Sequence, residues 1–260
     1  MTVYFIGAGP GDPELITVKG LRYLQNSPMV LYAGSLIPEA ILESAGNDAT
    51  VINTASLHLE QIIDYIKTAH QQGQDIARLH SGDPSLYGAI GEQIRHLIRL
   101  DIPYQIIPGV TATSASAAAL KCELTLPDIS QTIIHTRYAG KTAMPEGEDL
   151  SSLAQHKATL AIHLGITRIH KIVAELIPFY GKDCPVSICY RTSWPDEKII
   201  KGTLATITAL VRAEKISRTA LILVGEVLNP KSFSDSYLYD EDKANIYRPR
   251  KQSKITRQSS

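Results

Sequence analysis

From residue 3 to residue 107 the chain alternates between two periods, and this alternation restricts the fold more than any other feature of the sequence. Apolar runs of strand length occur at 3–8, 29–33, 50–52, 75–80 and 104–107. Between them the apolar spacing is helical. Leu15, Val18, Leu21 and Leu24 recur every third residue, behind Asp12 as a predicted N-cap and Pro13 at the first helical position. A second helix is expected to open near Pro38. Leu59, Ile62, Ile63 and Ile66 mark one face of a third that ends near Gly73, and residues 86–100 form a fourth. Strand and helix alternating at this rhythm imply right-handed crossovers and a mainly parallel sheet.

After Pro108-Gly109 the run TATSASAAAL predicts a small-residue helix suited to close packing. Strands are then expected at 132–136, 159–164, 186–191, 198–202 and 220–224. The third and fourth of these are joined only by TSWPDE, too short for a parallel crossover, so they should form a hairpin and the second sheet should be mixed. The chain therefore reads as two α/β domains, residues 1–115 and 116–230, with the boundary near 112–120. Residues 138–153, rich in Gly, Pro and acids, read as a long functional or mobile loop. Periodicity is lost from 231 onward. Residues 243–260 carry six basic side chains and no acid, which predicts a disordered tail within 231–260.

Composition narrows the function. Lys plus Arg and Asp plus Glu are 26 each, for a formal net charge of zero, which argues against a dedicated nucleic-acid binder. No apolar stretch reaches the ~18 residues that span a bilayer, and the first residues lack the basic and apolar regions of a signal peptide. Cys122, Cys184 and Cys189 form no CxxC pair, and the eight histidines show no HExxH spacing, so neither a disulfide framework nor a metal site is expected. The composition reads as that of a cytoplasmic enzyme.

Three glycine turns follow predicted strands. Gly7-Ala8-Gly9-Pro10-Gly11-Asp12 fails as a dinucleotide fingerprint: Asp12 stands where a third glycine is needed, and Pro10 removes an N–H donor. It suits an uncharged or cationic nucleoside better, and as a bland alternative it is only a tight turn. In Ser81-Gly82-Asp83-Pro84-Ser85-Leu86, Asp83 is placed to accept from ribose hydroxyls, or alternatively to cap a helix beginning at Pro84. Pro108-Gly109-Val110-Thr111-Ala112 is the third. Ligands bind at the carboxyl ends of strands in open α/β sheets, so three such rims at one edge predict a pocket. Arg137, Lys141, Arg168, Arg191 and Lys198 fall near strand ends of the second half. Each alone is an ordinary surface charge; gathered at one cleft they would hold a polycarboxylate.

The segments YFIGAGPGDPELITVKG, VLYAGSL, LHSGDPSLYGAI, IPGVTATSASAAA, LTLPDISQTIIHTR and YRTSWPDEKI resemble the tetrapyrrole (class III) S-adenosylmethionine-dependent methyltransferases, over roughly residues 3–230. The resemblance implies two α/β domains with S-adenosylmethionine in the cleft between them, a homodimer, and C11-methylation of precorrin-4 or cobalt-precorrin-4 in corrin-ring synthesis. Carried over position by position, it marks Pro10 in the first loop, Ser81, Gly82, Asp83 and Leu86 in the second, and Thr111 and Ala112 in the third. It also marks Leu164, where relatives have a Met before Gly, Arg191, at a position that is glycine in some relatives, and Ala220 near the adenine. Arg137, Lys141 and Arg191 are the candidates for substrate carboxylates. Relatives that methylate uroporphyrinogen carry an aspartate, proposed as a base, where this chain has Ala33, so no catalytic base is assigned. The rival readings are another tetrapyrrole substrate, a non-tetrapyrrole acceptor such as the diphthamide precursor, and a non-methylating nucleotide-binding module.

Overall fold

The computed structural model describes residues 1–140 and 142–236. Lys141 and the tail at 243–260 lie outside the described residues. The first half holds strands β1 (Val3–Gly7), β2 (Met29–Tyr32), β3 (Thr50–Asn53), β4 (Ile76–His80) and β5 (Tyr104–Ile107). Interleaved with them are helices α1 (Val18–Asn26), α2 (Glu39–Leu42), α3 (Leu59–Gln71) and α4 (Gly91–Arg99). The strands pair in the order β3-β2-β4-β1-β5, and every pairing is parallel. Both faces of the three central strands, β2, β4 and β1, are buried. Val3, Phe5, Leu31 and Ile76 point to the side of α3 and α4, and Ile6, Val30, Ala77 and Leu79 to the side of α1 and α2. This double burial is why the strands read as continuous apolar runs.

Helix α5 (Ala112–Leu120) leads into the second half: β6 (Ile133–Arg137), α6 (Leu150–Ala154), β7 (Thr159–His163), α7 (Ile169–Tyr180), β8 (Pro185–Tyr190), β9 (Lys198–Thr203), α8 (Ile207–Ala213) and β10 (Ala220–Val224). The second sheet runs β6-β7-β10-β8-β9. Only β6 and β7 are parallel, and β8 and β9 form the hairpin that the TSWPDE spacing predicts. Leu160, Ile162, Val186, Ile188, Ile222 and Val224 pack on α6, α7 and α8. The opposite face, with Ala161, Cys189, Leu221 and Leu223, is covered in part by Leu120 of α5.

Two helix starts differ from the sequence reading. Asp12 does cap, accepting the Glu14 N–H at 2.9 Å, but the capped element is a single 3-10 turn, Pro13–Leu15. Helix α1 begins only after Thr17, whose hydroxyl accepts the Gly20 N–H at 3.1 Å. Val18 is consequently 87% exposed and takes no part in the core. The expected helix from residue 86 begins instead at Gly91. Pro84 opens a turn in which Tyr87 and Ala89 have φ of 56° and 50°, values an α-helix cannot hold.

Candidate functional site

In the first sheet the chain leaves β1 toward one edge and leaves β4 toward the other, so the crevice at the carboxyl ends of these adjacent strands is a topological switch point. Two of the glycine turns meet there. Gly9 and Gly82 exchange backbone hydrogen bonds: the Gly82 N–H donates to Gly9 at 2.7 Å, and the Gly9 N–H to Gly82 at 3.3 Å. The third turn lies directly beside them. A Cβ on Gly7 would sit 2.6 Å from the Gly109 Cα and 2.7 Å from the Gly82 oxygen, so only bare backbone lets the loops close on one another.

Asp83 ties the second loop to the third. One carboxylate oxygen accepts from the N–H and hydroxyl of Ser85, at 2.8 and 2.5 Å, and the other accepts the Gly109 N–H at 2.8 Å. Burial works against its charge, but the bonds from Ser85 and Gly109 outweigh that and hold the carboxyl below its ordinary range. Asp83 is thus a cap of a turn and a strut between loops, facing the cleft at the same time.

The second half closes the site through the β8–β9 turn. The Trp194 Nε1–H donates to the Pro10 carbonyl at 2.8 Å, and the Ser193 hydroxyl accepts the Asp12 N–H at 2.9 Å. Gly11 leaves room for the indole, since a Cβ there would lie 2.1 Å from Trp194 Cδ1. The Arg191 guanidinium stacks 3.8 Å above the same ring, while its Nε–H bonds Asp196 at 2.7 Å. Arg191 itself has φ of 45°.

These contacts frame a cleft of about 410 Å³ between the two sheets, within the size range of small-molecule sites. Pro10, Ser81, Gly82, Asp83 and Leu86 line it from the first two loops, and Thr111 and Ala112 from the third. Leu164, Arg191 and Ala220 line it from the second half, so all ten positions marked for cofactor face one space. Leu164 projects into it with 72% of its surface exposed and φ of 54°. Among the candidates for substrate carboxylates, Arg191 is at the cleft but engaged by Asp196. Arg137 is turned to its own loop, donating to the carbonyls of Thr142 and Ala143 at 3.0 and 2.8 Å. Ala33 lies just before a 3-10 turn whose Leu36 reaches the cleft.

The sequence reading missed several lining groups, among them Tyr87, His163, Thr192 and Thr219. Burial, reinforced by nearby His135, lowers His163 to about 4, so it is neutral at ordinary pH. Burial also lowers His135 and raises the Tyr87 phenol. Cys189 lines the cleft too, but burial pushes its thiol up to about 11, unlike an activated nucleophile. The Asp83 carboxylate, the hydroxyls and the apolar walls suit a neutral base, a ribose and a cationic sulfonium, whereas Pro10 and Asp83 oppose a pyrophosphate.

Residues 2–208 match the family of tetrapyrrole (corrin/porphyrin) methylases. The chain belongs to this family. It is 62% identical over 250 residues to the precorrin-4 C(11)-methyltransferase of Pseudomonas aeruginosa, covering 96% of this chain and 99% of that one. A solved structure of a cobalt precorrin-4 methyltransferase, a cobalamin biosynthetic enzyme, superposes with a TM-score of 0.86 at 43% identity, over 88% of this chain and 96% of the other. A uroporphyrin-III C-methyltransferase from Thermus thermophilus, solved with S-adenosyl homocysteine, gives 0.72 at 28% identity, over 88% and 99%. Family membership makes this chain a methylase.

Proposed function

We propose that this methylase transfers a methyl group from S-adenosylmethionine to C11 of precorrin-4 or cobalt-precorrin-4, a step in building the corrin ring of cobalamin. The observation that carries the reading is the convergence of ten separately placed positions, from six loops and strand ends, on one cleft of suitable size and polarity. Ala33 in place of an aspartate favours the C11 reaction over uroporphyrinogen methylation. The close relation to precorrin-4 enzymes supports the same substrate class.

When bound, S-adenosylmethionine supplies an electrophilic methyl group whose C–S bonding pair stays with sulfur. The protein's task is then orientation and exclusion of water. Asp83 and the Gly9–Gly82 exchange fix the first three loops as one rigid wall. Trp194 locks that wall to the second half, and Leu36, Leu86 and Leu164 provide apolar sides. We take residues 1–115 and 116–230 as the two working halves, with α5 straddling the boundary.

No helix among the described residues is long and apolar enough to cross a membrane. We also read the protein as a cytoplasmic homodimer. The dimer is supported by the exposed Tyr104 and Ile106 on edge strand β5. Incubating the protein with labelled methyl donor and, in turn, precorrin-4, cobalt-precorrin-4 and uroporphyrinogen tests the function. Methylation of one of the first two by mass spectrometry is expected; methylation of uroporphyrinogen alone would overturn the C11 assignment.

A further inference from the structure

Two imidazoles lie side by side against the cleft, and orienting the methyl donor gives them no task. His163 ends β7 and lines the cleft, whereas His135, on the neighbouring parallel strand β6 and two positions out of register, is exposed. Their rings stack with centroids 5.8 Å apart. A single hydroxyl joins them. Thr113 of α5, 3% exposed, places Oγ1 3.5 Å from Nε2 of His163 and 3.4 Å from Nδ1 of His135. A hydroxyl has one proton and two lone pairs, so it can accept from one ring while donating to the other. Both contacts are long, as catalytic hydrogen bonds often are before substrate closes the site. On the cleft side the Tyr87 ring lies 5.1 Å from that of His163.

A tetrapyrrole carbon that gains a methyl group uses an electron pair of the macrocycle to form the new C–C bond. The ring system is then cationic until an N–H or adjacent C–H proton leaves. Resting on the proposed methylation, we propose that His163 is the catalytic base that takes this proton, and that Thr113 and His135 pass it to solvent. His163 accepts the proton at Nδ1, and its Nε2 proton moves to Thr113 Oγ1. The hydroxyl proton of Thr113 moves to Nδ1 of His135, which releases its Nε2 proton to water. Each transfer forms one N–H or O–H bond and breaks one, and no oxidant or reductant is needed. Burial keeps His163 neutral at ordinary pH, and the exposed His135 is the member of the pair that meets solvent, so the path leads outward. Besides His163, the titratable and charged groups lining the cleft are Asp83, Tyr87, Cys189, Arg191 and Arg218, with Arg137 and Glu148 near Tyr87.

The test compares wild type, His163→Gln and Thr113→Val with precorrin-4 and cobalt-precorrin-4 as acceptors. H163Q should lower kcat on the order of 10²-fold, leave S-adenosylhomocysteine affinity within about twofold, lose the acid limb of the pH profile and recover activity with added imidazole. T113V should lower kcat by a smaller factor. Nitrogen-15 NMR of the free wild-type protein should find both rings in the Nε2–H tautomer, and T113V should perturb both. Wild-type kcat and pH profile in H163Q would overturn the base, and an Nδ1–H tautomer at His163 would overturn the relay. If H163Q does not fold, the exposed His135→Gln serves, and an unchanged kcat there overturns the relay. A wild-type protein inactive on both acceptors would overturn the functional reading itself, and the base with it.

Discussion

The Gly109 N–H donates to Asp83 at 2.8 Å, joining two loops 26 residues apart in sequence. Because Gly109 also packs on the backbone of Gly7, this one bond sets the position of the third loop above the first strand as well as beside the second. A carboxylate that the sequence offers as a ligand group is therefore first a strut. Its position at the cleft depends on the loops it holds.

Asp83→Ala should lower both stability and cofactor affinity. Removing the acceptor leaves the Gly109 and Ser85 N–H groups without their partner, a cost of about 1–3 kcal/mol, and the loosened loops should weaken S-adenosylhomocysteine binding roughly tenfold, the ratio equivalent to about 1.4 kcal/mol. Asp83→Asn, which keeps one oxygen, should fall between. Thermal denaturation and calorimetric titration check this. Unchanged values in both would show that neither loop depends on the carboxylate.

Trp194→Phe should separate the hydrogen bond from the stacking. A phenyl ring still fits beneath the Arg191 guanidinium and against Gly11, but it cannot donate to Pro10. Losing one partly buried bond costs about 1 kcal/mol. The expected result is a modest drop in melting temperature with weaker S-adenosylhomocysteine binding, because Pro10 lines the cleft. Gly11→Ala, which drives a methyl group into the indole, should be the more damaging of the two.

How far the sequence spoke depends on whether each signal was local. The parallel sheet and the β8–β9 hairpin were legible because Gly and Pro punctuate strand ends and because TSWPDE leaves no room for a crossover. The rim loops were legible for the same reason. The start of α1 was not, since Asp12 and Thr17 are both competent caps and periodicity alone could not choose between them. Nor was the break at residues 84–90, where apolar spacing continues through a turn that positive φ values forbid to be helical. Trp194 reaches Pro10 across 184 residues, and His135 meets His163 only through the β6–β7 register. No local pattern carries either contact.

Stability should fall on acidification, with His80 as a main contributor. This side chain is 5% exposed, and among the described residues its Nε2 has no hydrogen-bond partner. Burial, then the neighbouring Arg78, lowers it to about 3, against an opposing bond from Gly88. The unfolded chain binds a proton near the ordinary value of about 6.5, and the folded chain does not until about pH 3. Its contribution is thus complete above the unfolded value and is lost as pH falls toward the folded one, by up to about 1.4 kcal/mol per pH unit. His163 and His135 act in the same direction. His80→Phe should flatten the dependence of melting temperature on pH between 6 and 4, even if it lowers the value at pH 7.5. An equally steep dependence in the variant would assign the acid sensitivity to other groups.

Arg137→Ala should raise the tetrapyrrole KM about three- to tenfold without altering S-adenosylhomocysteine affinity, because the guanidinium holds the carbonyls of residues 142 and 143 and not a cleft wall. The magnitude corresponds to about 1 kcal/mol, the worth of a hydrogen-bonded loop clamp. Salt separates a direct route from an indirect one. Screening weakens a direct ion pair with substrate but hardly affects a loop held by its own carbonyls. Wild type and variant should therefore show the same salt dependence of KM. A shallower dependence in the variant would make Arg137 a carboxylate ligand.

Leu164 sets stability and binding against each other. Its φ of 54° places a side chain with a Cβ in the left-handed region, a strain of about 1–2 kcal/mol that glycine would not bear. Its side chain is 72% exposed in the free protein, so the fold gains little from it. The gain comes only when a ligand covers it, and burying a leucine is worth about 1.5–3 kcal/mol when complete. Leu164→Gly should therefore hold or raise the melting temperature, the relieved strain being offset in part by the greater freedom of the unfolded chain. The same change should weaken S-adenosylhomocysteine about tenfold. Paired thermal melts and titrations decide between this and a purely structural role. A lower melting temperature with unchanged affinity would mean that Leu164 serves the β7 turn, and that the apolar wall of the cofactor site is built by other residues.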